Sequence, residues 1–379
     1  MKISAPLVSS GSRTYSQSLQ KVEKDNSMEK FGKPRVVQYD FVRAIAMLMV
    51  LVFHYSTTLE QYKVQGFINF GLNYANGRLG SVGVAIFFML SGACLYMQTC
   101  EEEKLNLKKF FIKRWSSIYP QYYFYYLIAL ICMALFYPSF FIGKDPYTIV
   151  QTILGIDGYI HYYYTQNFYL IGEWFLGALV LLYLLFPLYR ISVRKSTVLM
   201  ATVAWFTFLV NLKYSPLQMD KFNQLLTCQL FFIVGMIYEK ERQHIGARIK
   251  VACAIILAIM LFVNIPINLG VPLHPVLAVV ICAIPMFVVL CEIGSQVGNW
   301  KVFRFLAKNS YGYFLFHHIF IFYGIRPFAN RVFSVTYGGV ILLLYLLVSI
   351  GIATLLNQAY YLIKTVYTRV KMVTRSMRQ

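Results

Sequence analysis

Ten predominantly apolar stretches run through the chain, at roughly 36–58, 79–98, 117–138, 170–189, 196–212, 225–238, 251–266, 275–292, 306–324 and 337–357. Each approaches the length of about 17 to 25 residues that a helix needs to cross ~30 Å of hydrocarbon. Inside a bilayer an unpaired backbone N–H or C=O costs several kcal/mol, so such a stretch must close its own hydrogen bonds as a helix. The expected fold class is therefore all-α: a polytopic membrane helix bundle of about ten transmembrane helices. Composition agrees, because 58% hydrophobic and 13% charged residues over 379 positions leave too little polar surface for a soluble domain.

Orientation follows from the 35 Lys and Arg. If the N-terminus is cytoplasmic, the cations on the cytoplasmic side outnumber those outside by roughly four to one, and such residues resist translocation. Both termini are therefore expected in the cytoplasm, in a multi-pass protein of the plasma or inner membrane. The net charge of +20 is mostly topology, with attraction to anionic lipid, and gives no reason to invoke nucleic acid. Residues 1–35 are Ser- and Lys-rich without an apolar core, so they read as a flexible basic cytoplasmic tail rather than a cleaved signal. Residues 36–357 form the transmembrane domain and 358–379 a second basic tail.

The first span, DFVRAIAMLMVLVFHYS from Asp40 to Ser56, holds two ionisable groups that are costly in hydrocarbon. Arg43 and His54 are eleven residues apart, three turns plus about 20°, so they share a helix face at a separation of roughly 16 Å. Asp40 stands one turn before Arg43, placed to cap the helix and pair with the guanidinium. Two readings stand side by side: Arg43 snorkels to headgroups while His54 packs, or both serve chemistry inside the bundle.

Four later stretches bear on that choice: GVAIFFMLSGACLYM (Gly83 to Met97), FFIKRWSSIYPQYY (Phe110 to Tyr123), WFLGALVLLYLLFPLY (Trp174 to Tyr189) and LAKNSYGYFLFHHIF (Leu306 to Phe320). In this order after Asp-x-x-Arg and His, the pattern resembles the acyltransferase 3 family of integral-membrane O-acyltransferases, over residues 36 to about 357. The resemblance implies a bundle of about ten helices that moves an acyl group, commonly acetyl, from cytoplasmic acyl-CoA to a hydroxyl of a surface or exported polysaccharide. Asp40, Arg43 and His54 match the family's first-helix motif. Ser91 and Gly92 match its Phe-Phe-x-x-Ser-Gly segment, Arg114, Tyr119 and Pro120 its Arg-x-x-Arg-Ile-Tyr-Pro segment, and His317 the histidine that closes Ser-Tyr-x-x-x-x-x-His.

Two departures qualify the match. Ser117 stands where the family has the second arginine, with Lys113 close by as a substitute cation. The Trp-Ser-Leu-x-x-Glu-Glu signature of one branch reads Trp174-Phe175-Leu176-Gly177-Ala178-Leu179-Val180, without the carboxylates.

CoA phosphates cannot cross hydrocarbon, so the donor set is expected to be Arg43, Lys113, Arg114 and Ser91, opening to the cytoplasm. The cations are also ordinary topology signals at a helix end, and Ser91 and Gly92 are also ordinary small residues that let helices approach. His54 would act as general base or, alternatively, carry the acyl group as an acyl-imidazole. The acceptor side is expected to involve Glu173, Trp174, His317, Tyr162 and Tyr163. The last two lie in the tyrosine-rich outer segment Asp145 to Trp174, which suits stacking under sugar rings and equally suits an interfacial aromatic belt. Its IVQTILGI stretch has the look of a re-entrant or interfacial helix.

Seven cysteines lie mostly in or at spans and show neither a disulfide framework nor zinc-ligand spacing. No metal and no resident cofactor are expected, acyl-CoA being a substrate. The competing class is a transporter or flippase of a glycan or lipid-linked intermediate, which shares every compositional feature but gives no reason for an arginine and a histidine on one helix face.

Overall fold

A computed structural model describes residues 36–66, 77–136, 138–214, 218–262 and 273–376. The basic N-terminal segment 1–35 lies outside the described residues. Among those described, each of the ten apolar stretches corresponds to a helix: α1 Val37–Gln61, α2 Leu79–Thr99, α3 Leu107–Phe136, α4 Glu173–Lys195, α5 Thr197–Tyr214, α6 Leu225–Glu241, α7 Ala247–Phe262, α8 Pro275–Val297, α9 Lys301–Ile325 and α10 Val335–Ser376. Seven of these, α1 to α5, α8 and α10, are long and apolar enough to cross a membrane. Helices α6 and α7, at 17 and 16 residues, are short for that. Helix α9 is long enough but carries Lys308, Asn309, Ser310 and two histidines.

Two boundaries depart from the hydropathy reading. Helix α3 begins at Leu107 rather than 117, because Lys108, Lys109, Lys113 and Arg114 interrupt hydropathy but not helix propensity. Helix α10 does not stop at 357: it continues through the segment read as a tail to Ser376, 42 residues in all.

The core of the bundle is α1 packed between α2, α8 and α9. Phe41 meets Phe303 edge-on at 4.7 Å and His54 reaches His318, so α1 and α9 run parallel. Tyr313 bonds to Thr354 and Asn357 to Asn309, so α10 returns antiparallel to α9. The start of α1 and the end of α10 therefore lie toward the same side of the bundle.

Helix α6 crosses α2 at a glycine on each. A Cβ on Gly92 would lie 1.9 Å from the Phe232 carbonyl oxygen, and one on Gly235 would lie 1.9 Å from that of Met89. Only glycine permits this approach, the usual means of tightening helix contacts where lipid offers no hydrophobic drive. Gly235→Leu should accordingly cost at least the ~1–3 kcal/mol of an overpacked site and lower the unfolding temperature in detergent. An unchanged melting curve would mean the backbones do not meet there.

The C-terminal end of α2 is finished from outside. Arg190, 2% exposed on α4, donates to the Thr99 carbonyl at 2.7 Å and to that of Glu102, and Arg194 donates to Glu102 and Glu103 carbonyls at 2.7 and 3.1 Å. The last carbonyls of a helix have no internal partner, and Arg190 supplies that of Thr99, while both guanidinium groups bind the turn that follows and face the negative dipole end.

Candidate active site

The face of α1 that carries Arg43 and His54 opens onto two separate groups of side chains. At the lower end, Arg43 lies 3.7 Å from Asp40, itself 4% exposed, and 3.8 Å from the Cys94 sulfur on α2. The Asp-x-x-Arg spacing thus forms the intrahelical pair expected of it. Ser91, one turn from Cys94, donates to the Phe87 carbonyl at 2.8 Å and adjoins the Tyr183 hydroxyl, which is also within electrostatic reach of Arg43 and Arg114. Tyr183 on α4 therefore links three residues of the expected donor set. Sequence reading did not select it, since a tyrosine in an aromatic-rich span carries no local signal.

Lys113 and Arg114 converge on one acceptor, the Gln98 side-chain oxygen, at 3.1 and 3.4 Å, and the Arg114 guanidinium stands 6.0 Å over the Phe110 ring. Ser117 turns back to the Arg114 carbonyl at 2.9 Å. Asp40, Arg43, Ser91 and Arg114 are thus gathered at one end of the α1, α2, α3 and α4 contact, with Lys113 at its exposed edge.

About three turns further along α1, His54 meets α9. Its ring centroid lies 4.2 Å from that of His318 and 5.0 Å from that of His317. His318 Nε2 approaches both ring nitrogens of His54, at 3.1 and 3.4 Å. His317 is 3% exposed and donates from Nδ1 to the Phe314 carbonyl at 2.7 Å, the carbonyl being able only to accept. The structure therefore brings the motif residue His317 to His54, and adds His318, which the motif passes over. Only the parallel alignment of α1 and α9 shows that the second histidine makes the closer approach.

Between these groups lies an aromatic wall. Phe175 packs 4.6 Å from Phe88 and 4.9 Å from Phe314, while Trp174 meets Phe222 edge-on at 5.6 Å. Trp174 thus packs beside this wall, 6.2 Å from Phe88, and Glu173 is the first residue of α4.

The segment before α4 is built differently from a free loop. It contains short helical turns at Ile149–Ile153 and Asp157–Ile160. Four tyrosines on one stripe of α3 hold it by backbone carbonyls: Tyr119 to Leu154 at 2.8 Å, Tyr122 to Thr152 at 3.1 Å, Tyr123 to Ile153 at 2.7 Å and Tyr126 to Phe168 at 2.8 Å. Tyr119 lies roughly 25 Å along α3 from its C-terminal end, so the segment folds back deeply beside the helix. The motif residue Tyr119 thereby acquires a structural task. Asp157, 2% exposed, accepts from Thr152 and from the Gly158 amide; burial pushes its pKa up while these two bonds pull against the rise.

Tyr162 and Tyr163 are about half exposed, and their hydroxyls accept from Asn223 at 3.3 Å and from the Gln218 amide at 3.0 Å. They tie this segment to the connection between α5 and α6.

The family model described as an acyltransferase domain matches residues 36–358. The peptidoglycan O-acetyltransferase OatA of Listeria monocytogenes is 25% identical over 146 residues, which is 38% of this chain. The match spans only 19% of that relative's length. No solved structure matches. The family match takes in the whole bundle from α1 into α10 and both residue groups on the α1 face, and on that ground the chain belongs to the acyltransferase 3 family.

Proposed function

We propose that this protein is a membrane O-acyltransferase that moves an acyl group, in the first instance acetyl, from acyl-CoA to a hydroxyl of a cell-envelope glycan. The observation that carries this reading is the pair of groups on one face of α1: guanidinium and hydroxyl groups around Arg43 at one end and the histidines around His54 at the other. The roughly 16 Å between them suits an extended pantetheine arm whose phosphates stay among the cations while its thioester reaches the imidazole. Family membership favours this over the transporter reading, which assigns no role to either group. The resemblance to a peptidoglycan O-acetyltransferase supports a carbohydrate acceptor.

In this scheme His54 removes the proton of the attacking hydroxyl, the oxygen adds to the thioester carbonyl, and collapse of the tetrahedral oxyanion expels the CoA thiolate, which takes the proton from His54. An imidazole suits both transfers, neutral when it takes the proton and cationic when it returns it. His318, touching His54, orients its ring. The Lys and Arg distribution favours a cytoplasmic Arg43 end, and in this scheme donor and acceptor approach from opposite sides.

Sealed vesicles of known orientation test this directly. Acetyl-CoA supplied only at the face where α1 begins should support acetylation of a glycan supplied only at the other. Acetylation solely when both share one face would overturn the handoff. A second expectation concerns the cations: Arg43→Ala and Arg114→Ala should raise the KM for acyl-CoA more than that for glycan, and added salt should weaken donor binding in the same direction. Unaltered donor affinity in both variants would leave the arginines with topology alone.

A further inference from the structure

Three imidazoles converge where α1 passes α9. One ring nitrogen from each of His54, His317 and His318 lies within 4.8 Å of those of the other two. The His54 and His318 nitrogens are already 3.1 Å apart, close to the ~3.3 Å between two nitrogens that share a tetrahedral ion at bond lengths of ~2.0–2.1 Å. Bringing in the third takes side-chain rotations that close gaps of about 1.5 Å. The bond from His317 Nδ1 to the Phe314 carbonyl points the same way: it fixes the tautomer and leaves the lone pair on Nε2, which is how metal-ligating histidines are commonly held. The group contains no carboxylate, so its nitrogen donors suit zinc, copper or nickel and are poor for magnesium or calcium. Aromatic rings adjoin it, Phe53 against His54 at 5.3 Å and Phe314 against His317 at 6.0 Å.

We propose that His54, His317 and His318 form a binding site for a divalent transition-metal ion of the Zn²⁺ class, and that the ion shuts off acyl transfer by taking up the His54 lone pair. Three protein nitrogens leave a fourth position for water. The shut-off rests on His54 acting as proposed above; the binding does not. Such a site would make transfer responsive to free transition metal through the same side chain that performs the chemistry.

The test uses the full chain, purified in detergent through a tag without histidines and stripped with chelator. Titrated Co²⁺ should give the visible absorption of a tetrahedral nitrogen site, saturating at one ion per chain and displaced by Zn²⁺. His317→Asn and His318→Asn, each checked for folding by thermal unfolding, should weaken Zn²⁺ binding by more than the ~10–100-fold that loss of an outer-shell partner costs. Either variant alone suffices if the other does not fold. His244→Asn, at a side chain 79% exposed elsewhere in the protein, should leave binding unchanged and so excludes a surface site. Acetyl transfer by the unaltered chain should fall in step with Zn²⁺ occupancy and return fully on chelation. Binding that survives the His317 and His318 substitutions, or never saturates near one ion, overturns the site. Full occupancy with undiminished transfer overturns the shut-off. Absence of transfer in the metal-free chain would count against the transferase reading, while the Co²⁺ titration still decides the site.

Discussion

His54→Ala is expected to lower acetyl transfer by ~10²–10⁴-fold, the range for losing a positioned general base, with the protein still folded and inserted. His54 does not hold the bundle together: the packing of α1 rests on Ala44, Met47 and Leu51 against Leu306, Tyr313 and Ala353. Removing the ring leaves those contacts in place. Initial rates with a labelled acetyl donor, set against the unfolding curve of the same preparation, measure it. A well-folded variant that acetylates at near-normal rate would sink the assignment of His54.

Asn357→Leu is expected to cost several times the ~0.6 kcal/mol typical of one interhelical hydrogen bond in a membrane protein. Asn357, 1% exposed on α10, accepts from Gln121 at 2.7 Å and from Tyr125 at 2.8 Å, both on α3, and donates to the Asn309 side chain of α9 at 2.9 Å. A single broken bond is cheap when its partner finds another, but here three polar side chains lose their shared partner together. Tyr125 keeps the Ala353 carbonyl as a second acceptor at 3.2 Å, so two buried groups are left unsatisfied at ~1–3 kcal/mol each, about 2–6 kcal/mol together. A double-mutant cycle with Gln121→Ala measures the coupling, and simple additivity would show that the two side chains do not share a network.

The helices were legible in the sequence because the bilayer imposes a single requirement, length of apolar chain, that can be read residue by residue. Arg43 and His54 were legible as a pair because one rigid helix fixes both. His318 was not, since its proximity to His54 depends on how α9 aligns with α1, 264 residues away in the chain. The same limit hid the network around Asn357 and the histidine trio as a candidate for metal, whose spacing is invisible without the helix pairing. Gly92 shows the converse: the ordinary reading of a small residue, close helix approach, is what the crossing with Gly235 displays. For Ser91 the neighbouring Tyr183 keeps the donor-site reading in view.

The tyrosine stripe on α3 bears on how such a protein could diversify. Ordinary loops accept insertions because their backbone is solvated and unregistered. Between Thr152 and Leu154 three successive carbonyls are each paired to a different α3 hydroxyl, so one added or deleted residue would shift all three pairings and leave polar backbone without its partners. Length variation is thereby disfavoured in the pinned part of the segment and confined to its ends, around 161–170 and before 149. Changes of loop length would then fall at those rims, with the pinned stretch inherited as a fixed unit.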